Sequence, residues 1–461
     1  MSLQSSLAVM IGGNTTEQEL ANKVAGTVGL TTQEALNIAA GTTGDTYTTQ
    51  VALNALAGDA ANSKSAQGSA DSIASLGGYT TKTGTLTENF ETLGDWTKGA
   101  SGTMTADTTN FKTGAASLQL AALVSNSCLA TKTVSLDLSN AQVIKYSVYT
   151  ADPSNISAVT LYFSNDSSFT NYYSRAISTA GNFTKGWNTL TLPRGLFSAT
   201  GAPSWSTSFV RLRVRVDATA GGGQTVSIDS LYAGNHHRPK VIMTFDDGFD
   251  TQITEGYAYM ATKGLKATCY VNNSSIGTAT YMTTANLTTL HNAGWDIANH
   301  GYTHTNLTTL GTQAEMEDKV SLNKTWLDGL GFTRASGHFA YPNGGYNDTV
   351  LAAMAAQNVL TARTTLGTTA VMSAQPPDNP YILRIQNLGN ANSLASVKST
   401  VDTCIDMGTV LFINGHKLVA SATADTEWAI TDFQALIDYL YTKVTTNKLD
   451  VATVSEWYNG L

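Results

Sequence analysis

The sequence predicts a multidomain chain of three unlike units: short helical repeats and a linker over residues 1–83, a β-sandwich over 84–235 and an α/β unit over 236–461. Three changes of rhythm carry this expectation. Small helices recur with a period of roughly fifteen residues at the start, too short for the common helical solenoids. Short alternating apolar runs between turn clusters follow. Apolar strands then alternate with amphipathic helices, the order that predicts a mainly parallel sheet or barrel. At 461 residues the chain exceeds what one hydrophobic core organises, so several cores are expected.

Charged residues make up 13% of the chain, about half the ~25% of an average soluble protein. Thr, Ser, Asn, Ala and Gly supply the polar surface instead, which reads as an all-β or extracellular protein. A net charge of -8 argues against nucleic acid or an anionic membrane as the main partner, since either calls for a basic face. Cys128, Cys269 and Cys404 are far apart and lack C-x-x-C spacing, so they are expected to be buried and unpaired. No signal peptide is visible in Met1 to Gly13, and no stretch is long and apolar enough to span a bilayer.

The repeats are Asn22-Lys23-Val24-Ala25-Gly26, Asn37-Ile38-Ala39-Ala40-Gly41 and Asn54-Ala55-Leu56-Ala57-Gly58. Each reads as a short helix that Gly ends, with the Thr31-Thr32 and Thr48-Thr49 hydroxyls as N-caps. Helices this small bury too little surface to stand alone, so packing on copies of themselves, as a homo-oligomer, or on a larger assembly is expected. A flexible Ala/Gly-rich leader is the competing reading. The stretch from Thr31 to Gly44 resembles short repeats of bacteriophage virion proteins, tail-associated ones in particular. That resemblance implies phage tail or other virion proteins as partners and a virion or extracellular location. Residues 63–78 read as the linker.

In the middle unit, strands are expected near 117–122, 143–149, 158–163, 187–192, 210–216 and 225–231. The clearest is 210–216, with Val210, Leu212, Val214 and Val216 on one face and Arg211, Arg213 and Arg215 on the other. Glu88-Asn89-Phe90-Glu91, Thr113 to Leu118 and Val226 to Leu231 resemble the jelly-roll carbohydrate-binding modules of polysaccharide-active enzymes. That resemblance implies sugar binding, for which Trp96, Trp187, Trp205, Tyr172 and Tyr173 are candidates; each is also a candidate for ordinary packing. The three arginines read equally well as a solvated face.

In the C-terminal unit, strands are expected near 241–245, 267–271, 296–298, 338–340, 359–361, 382–385, 410–413 and 450–453, with helices such as 253–262, 313–330, 348–357, 394–407 and 430–445. Catalytic groups in such folds gather where strands end. Thr244-Phe245-Asp246-Asp247-Gly248 ends one strand with two carboxylates; adjacent strand residues point to opposite faces, so both reach one ligand only if the backbone curls, and Gly248 permits that curl. His300 and His304 follow another strand, and their i, i+4 spacing predicts one side of a helical turn. Two His and one carboxylate make an open metal site with room for a water. Asp246 or Asp247 supplies that carboxylate, and the other is then free to act as general base.

These two motifs, with Phe339-Ala340-Tyr341-Pro342-Asn343-Gly344 and Leu411-Phe412-Ile413-Asn414-Gly415-His416, resemble in order the polysaccharide deacetylases with a NodB-homology domain, carbohydrate esterase family 4. The resemblance spans about Pro239 onward. It implies a distorted (β/α)7 barrel and metal-dependent hydrolysis of acetyl groups, usually the N-acetyl of a hexosamine, on a polysaccharide substrate. It assigns Asp246 as general base, Asp247, His300 and His304 as metal ligands, the Tyr341 backbone N–H as an oxyanion donor and His416 as general acid. Zn2+ is the default ion, with Co2+, Ni2+ and Mn2+ as alternatives. The third motif departs from the family: Phe339 stands where an Arg often orients the base, and Arg384 reads equally well as its replacement or as a member of an ordinary surface or structural ion pair. The Asp-Trp motif that often supports the acid His is not recognisable. The alternative function is a glycan-binding adhesin or virion structural protein that uses the fold as a scaffold.

Overall fold

A computed structural model describes residues 84–460, apart from 142, 179–181, 235–236 and 369–371. The repeats and linker expected over 1–83 lie outside the described residues. From Thr85 onward the middle region folds as two antiparallel sheets with one core between them. One sheet runs in the order Thr103–Asp107, Ser117–Ala122, Gln224–Ala233, Val143–Thr150 and Gly186–Pro193, with Thr85–Glu88 also on Gln224–Ala233. The other runs Ser198–Thr200, Tyr172–Ser178, Ile156–Ser164, Phe209–Ala218, Ser127–Leu136 and Trp96–Ala100.

Alternation explains the packing: Leu212, Val214 and Val216 are fully buried while the arginines between them face outward. A register shift between Phe209 and Arg211 puts Phe209 into the core and leaves Val210 only half buried, where plain alternation predicts a buried valine. Of the candidate sugar-stacking tryptophans, Trp96 belongs to this core and the half-buried Trp205 packs against it. Trp96 stacks on Phe90 at 5.2 Å, and Trp205 stacks on Tyr173 at 4.4 Å. Cys128, Cys269 and Cys404 are buried and unpaired, as their spacing predicts.

The C-terminal region is a closed parallel barrel of seven strands: Lys240–Asp246, Thr268–Val271, Asp296–Asn299, Ala335–Ala340, Thr361–Gly367, Leu383–Asn387 and Val410–Gly415. They are taken here as strands one to seven. Strand seven pairs with strand one, which closes the ring. Strand one meets strand two only over its last residues, Thr244 to Asp246. At its beginning, Lys240 to Ile242 pair instead with an eighth strand, Asp450–Ala452, so the barrel is split at the bottom and sealed by this insertion.

Side chains alternate between two apolar layers. Ile242, Tyr270, Leu383, Ile385 and Phe412 fill the interior, where Trp457 of the helix Val454–Asn459 packs edge-on against Phe412 at 5.1 Å. Val241, Met243, Phe245, Leu411 and Ile413 point the other way, toward Leu394–Met407 and Ile430–Thr445. Because both faces are buried, the strands read as near-continuous apolar runs. The expected helix over 253–262 begins with a wide i→i+5 turn over Gln252–Tyr257 and becomes α-helical only at Ala258–Ala261. The strand expected at 359–361 instead starts at Thr361 and runs to Gly367, because the Val359 N–H still closes the preceding helix on the Met354 carbonyl at 3.0 Å.

Candidate active site

Strand one delivers two carboxylates to the mouth of the barrel. Ile242 and Thr244 point into the barrel, and Asp246, two residues on, does the same. At Asp247 the backbone turns left-handed, with φ of 70°, followed by Gly248 at 81°. Asp is among the few side chains that tolerate this region. Gly248 is required twice over, since a Cβ there would lie 2.7 Å from Ile276 Cδ1. The curl therefore starts at Asp247 itself and turns its carboxylate onto the barrel mouth.

There Asp247 Oδ1 lies 3.4 Å from His300 Nε2 and 3.3 Å from His304 Nε2. The three ligand atoms all lie within 4.8 Å of one another. His300 Nδ1 is 2.8 Å from the Ala340 carbonyl, to which it donates as N–H, so the tautomer leaves Nε2 with a free lone pair facing Asp247. This donor set, one carboxylate and two imidazoles with one ring oriented from behind, fits a divalent ion with open coordination positions. His300 is buried, whereas His304 is exposed at the rim.

The histidine pair is not on a helical turn. Gly301 has φ of 76°, and its N–H is taken by Asn299 Oδ1 at 2.9 Å, while the Tyr302 N–H goes to the Lys319 carbonyl at 2.8 Å. A left-handed glycine with these outside partners makes a loop, which brings the rings together at 5.1 Å between centroids.

Beneath this cluster, Asp246 is buried and surrounded by donors. Arg363 Nη2 reaches both of its oxygens, Oδ2 at 2.6 Å, and Asn414 Nδ2 donates to Oδ2 at 3.2 Å. Asn414 is aimed by the Thr244 hydroxyl, which lies 3.1 Å from its Oδ1. Burial favours the neutral acid, but the Arg363 charge and hydrogen bond, aided by His300 and His416 whenever these carry a proton, outweigh it and hold the Asp246 pKa at about 2. The pKa of Asp247 is also lowered: burial opposes ionisation and the His300 contact overcomes it. His416 Nε2 lies 3.8 Å from Asp246 Oδ2. Gln252 Nε2 donates to the backbone carbonyls of both Asp246 and His416, tying the ends of strands one and seven together. His416 Nδ1 is buried without a hydrogen-bond partner.

A polysaccharide deacetylase family model matches residues 233–362, which contain the strand-one pair and both histidines. The C-terminal region carries a polysaccharide deacetylase domain. A Bacillus subtilis protein named for the same family, YxkH, is 28% identical over 113 residues, which are 24% of this chain and 40% of that relative. The chain thus matches less than half the length of this curated relative. Among solved structures, a family 4 carbohydrate esterase from Streptomyces lividans is 19% identical, covering 47% of this chain and 91% of that one, with a TM-score of 0.33. A family 11 carbohydrate-binding module from Clostridium thermocellum is 11% identical, covering 32% of this chain and 92% of that one, with a TM-score of 0.25.

Besides the histidine turn, two further expectations about the deacetylase domain need correction. The guanidinium on Asp246 belongs to Arg363, not to Arg384. On strand six Leu383 and Ile385 face the interior, so alternation turns Arg384 outward, where Nη1 donates to the Gly367 carbonyl at 3.1 Å and Nη2 to the Asn182 carbonyl of the sandwich at 2.9 Å. Arg363 lies inside, over the Tyr270 ring at 5.2 Å from its centroid. The expected strand ends at 361, two residues short of Arg363. Second, the Tyr341 N–H donates to the Arg363 carbonyl at 3.0 Å as part of the ladder between strands four and five, so in this structure it is not a free oxyanion donor. The Tyr341 side chain is a packing element whose hydroxyl donates to the Tyr381 carbonyl at 3.0 Å.

Proposed function

We propose that the deacetylase domain is a metal-dependent hydrolase that removes acetyl groups from a polysaccharide, the N-acetyl group of a hexosamine first among them. The observation that carries this reading is the meeting of Asp247, His300 and His304 directly above the Asp246 and His416 pair. Asp247, His300 and His304 would hold the ion, with Zn2+ the default and Co2+, Ni2+ or Mn2+ as alternatives. A divalent ion bound there supplies Lewis-acid polarisation of the acetyl carbonyl and acidifies water. Asp246 is kept ionised by Arg363, which suits it to take a proton from the attacking water. His416, whose Nε2 lies 3.8 Å from Asp246 Oδ2, would protonate the departing amine. A base, an acid and a ligand set retained in one chain count against a purely scaffolding role.

In this reading the sandwich holds the glycan as a jelly-roll module and the repeats attach the chain to a virion or another extracellular assembly; the sequence resemblances support both. The deciding experiment is acetate release from acetylated hexosamine polymers and acetylated xylan, with and without a chelator. Release that stops with chelator, with Asp246→Asn and with His300→Ala is expected. Release that persists in any of the three overturns the mechanism.

A further inference from the structure

Three of the chain's nine arginines lie on one outward face of the strand Phe209–Ala218. In the register of this sheet Arg213 lies opposite Tyr162 on one side and Thr131 on the other, while Arg211 lies opposite Ser164, which itself pairs with Tyr172. Residues directly opposite in a ladder share a face. Arg211, Arg213, Arg215, Tyr162 and Tyr172 therefore form one surface, with the arginines spaced over about 13 Å along the strand. Phe169 is folded back over this surface with a left-handed φ of 56°, its ring centroid 3.5 Å from the Arg213 guanidinium carbon. Its loop is pinned by Asp166, which accepts the N–H groups of Ser168, Thr170 and Asn171 at 2.9, 3.1 and 2.6 Å.

The charge of this face is not neutralised. Arg215 pairs with Asp217 at 2.6 Å, but Arg211 and Arg213 have no carboxylate partner among the described residues. Arg213 instead spends one donor on Thr131 Oγ1 at 2.9 Å and sits half buried among aromatic rings. Guanidinium forks backed by aromatic rings suit carboxylates and phosphates carried on rings whose apolar faces can stack. On a chain of net charge -8 such a face is a local exception that acidic proteins do not need for solubility.

We propose that this outer sheet face binds an anionic glycan, a polysaccharide bearing carboxylate or phosphate groups, and so selects a negatively charged polymer for the deacetylase domain. The inference rests on the polysaccharide reading above, but its test is binding and not acetate release, so the two fail separately.

The full chain would be run through gels containing polygalacturonate, neutral dextran or no polymer, with single-stranded DNA as competitor. Retardation by polygalacturonate alone is expected, weakened by salt and reduced at least tenfold in Arg211→Gln/Arg213→Gln. If that variant does not fold, Arg211→Lys/Arg213→Lys, which keeps the charge but loses the fork, should still weaken retardation about threefold. Equal retardation by dextran, undiminished retardation of the folded variants, or displacement by DNA at lower concentration than by free polygalacturonate would each overturn the proposal.

Discussion

Arg363 on strand five and Asp246 on strand one face each other across the barrel interior, 117 residues apart in sequence, and the guanidinium reaches both carboxylate oxygens. Both are almost fully buried. Removing one member leaves the other as an unpaired buried charge, which typically costs about 3–5 kcal/mol. Arg363→Met should therefore lower the thermal midpoint measurably and reduce kcat for acetate release by roughly a hundredfold or more, with KM little changed. Arg384→Met should leave most of kcat intact, and a larger loss there than at Arg363 would contradict the geometry.

The two adjacent aspartates should separate in a metal-content measurement. Asp247→Asn is expected to lose stoichiometric cobalt or zinc after dialysis, because it removes the one charged ligand of the cluster. Asp246→Asn should retain the ion while losing activity. Equal metal loss in both variants would mean that the two carboxylates are not divided between ion and proton.

His338 gives a pH dependence that does not involve the metal cluster. It is buried, bonded through Nδ1 to Thr361 Oγ1 at 2.9 Å, and burial lowers its pKa to about 4. The unfolded chain protonates this residue near 6.5, so between those values the unfolded state binds more protons. The contribution is complete above about pH 6.5 and is lost as pH falls toward 4, with a slope of up to about 1.4 kcal/mol per pH unit. Urea midpoints measured across this range should fall less steeply in His338→Gln than in the parent chain.

Asp378, in the loop before strand six, accepts from Lys112 Nζ, the Thr189 N–H and, at 2.6 Å, the Thr189 hydroxyl of the sandwich. Asp378→Ala leaves those donors without their carboxylate at a half-buried contact, which typically costs about 1–3 kcal/mol. Faster proteolytic cleavage near residues 234–240 is expected, with the separated fragments retaining their own thermal transitions.

The role of residues 1–83 is tested by mass in solution. If the repeats drive self-association, the full chain should be larger than a monomer and a chain beginning at Gly84 should not. Equal oligomeric states would remove the case for association through the repeats.

Much of the barrel was legible because its strands are buried on both faces, leaving long apolar runs such as 241–245 and 410–413 that only a covered parallel sheet explains. The motifs at their ends located the metal cluster for the same reason. Arg363 escaped because its partnership depends on the register between strands one and five, and no local pattern encodes that. The engaged N–H of Tyr341 escaped likewise, since a backbone donor's partner is invisible in a sequence. The histidine loop was misjudged where an i, i+4 spacing outweighed Gly301, whose φ of 76° no helix accepts. In the sandwich, 103–107 and 127–136 were missed because Thr, Ser and Lys occupy the outward positions without a strong apolar alternation.

The insertion of Asp450–Ala452 beside the beginning of strand one has a modular consequence. The polypeptide enters the barrel at Lys240, and its last strand, which leads into the helix Val454–Asn459, lies directly alongside, with Arg238 and Asp450 paired at 2.6 Å across the junction. That junction lies at the pole opposite the catalytic mouth, about 20 Å away along strand one. Sequence can thus be grafted, lengthened or exchanged at this seam while the ligands at the other pole keep their positions. The barrel is in this sense a cartridge, free to be paired with whatever module directs it to its polymer.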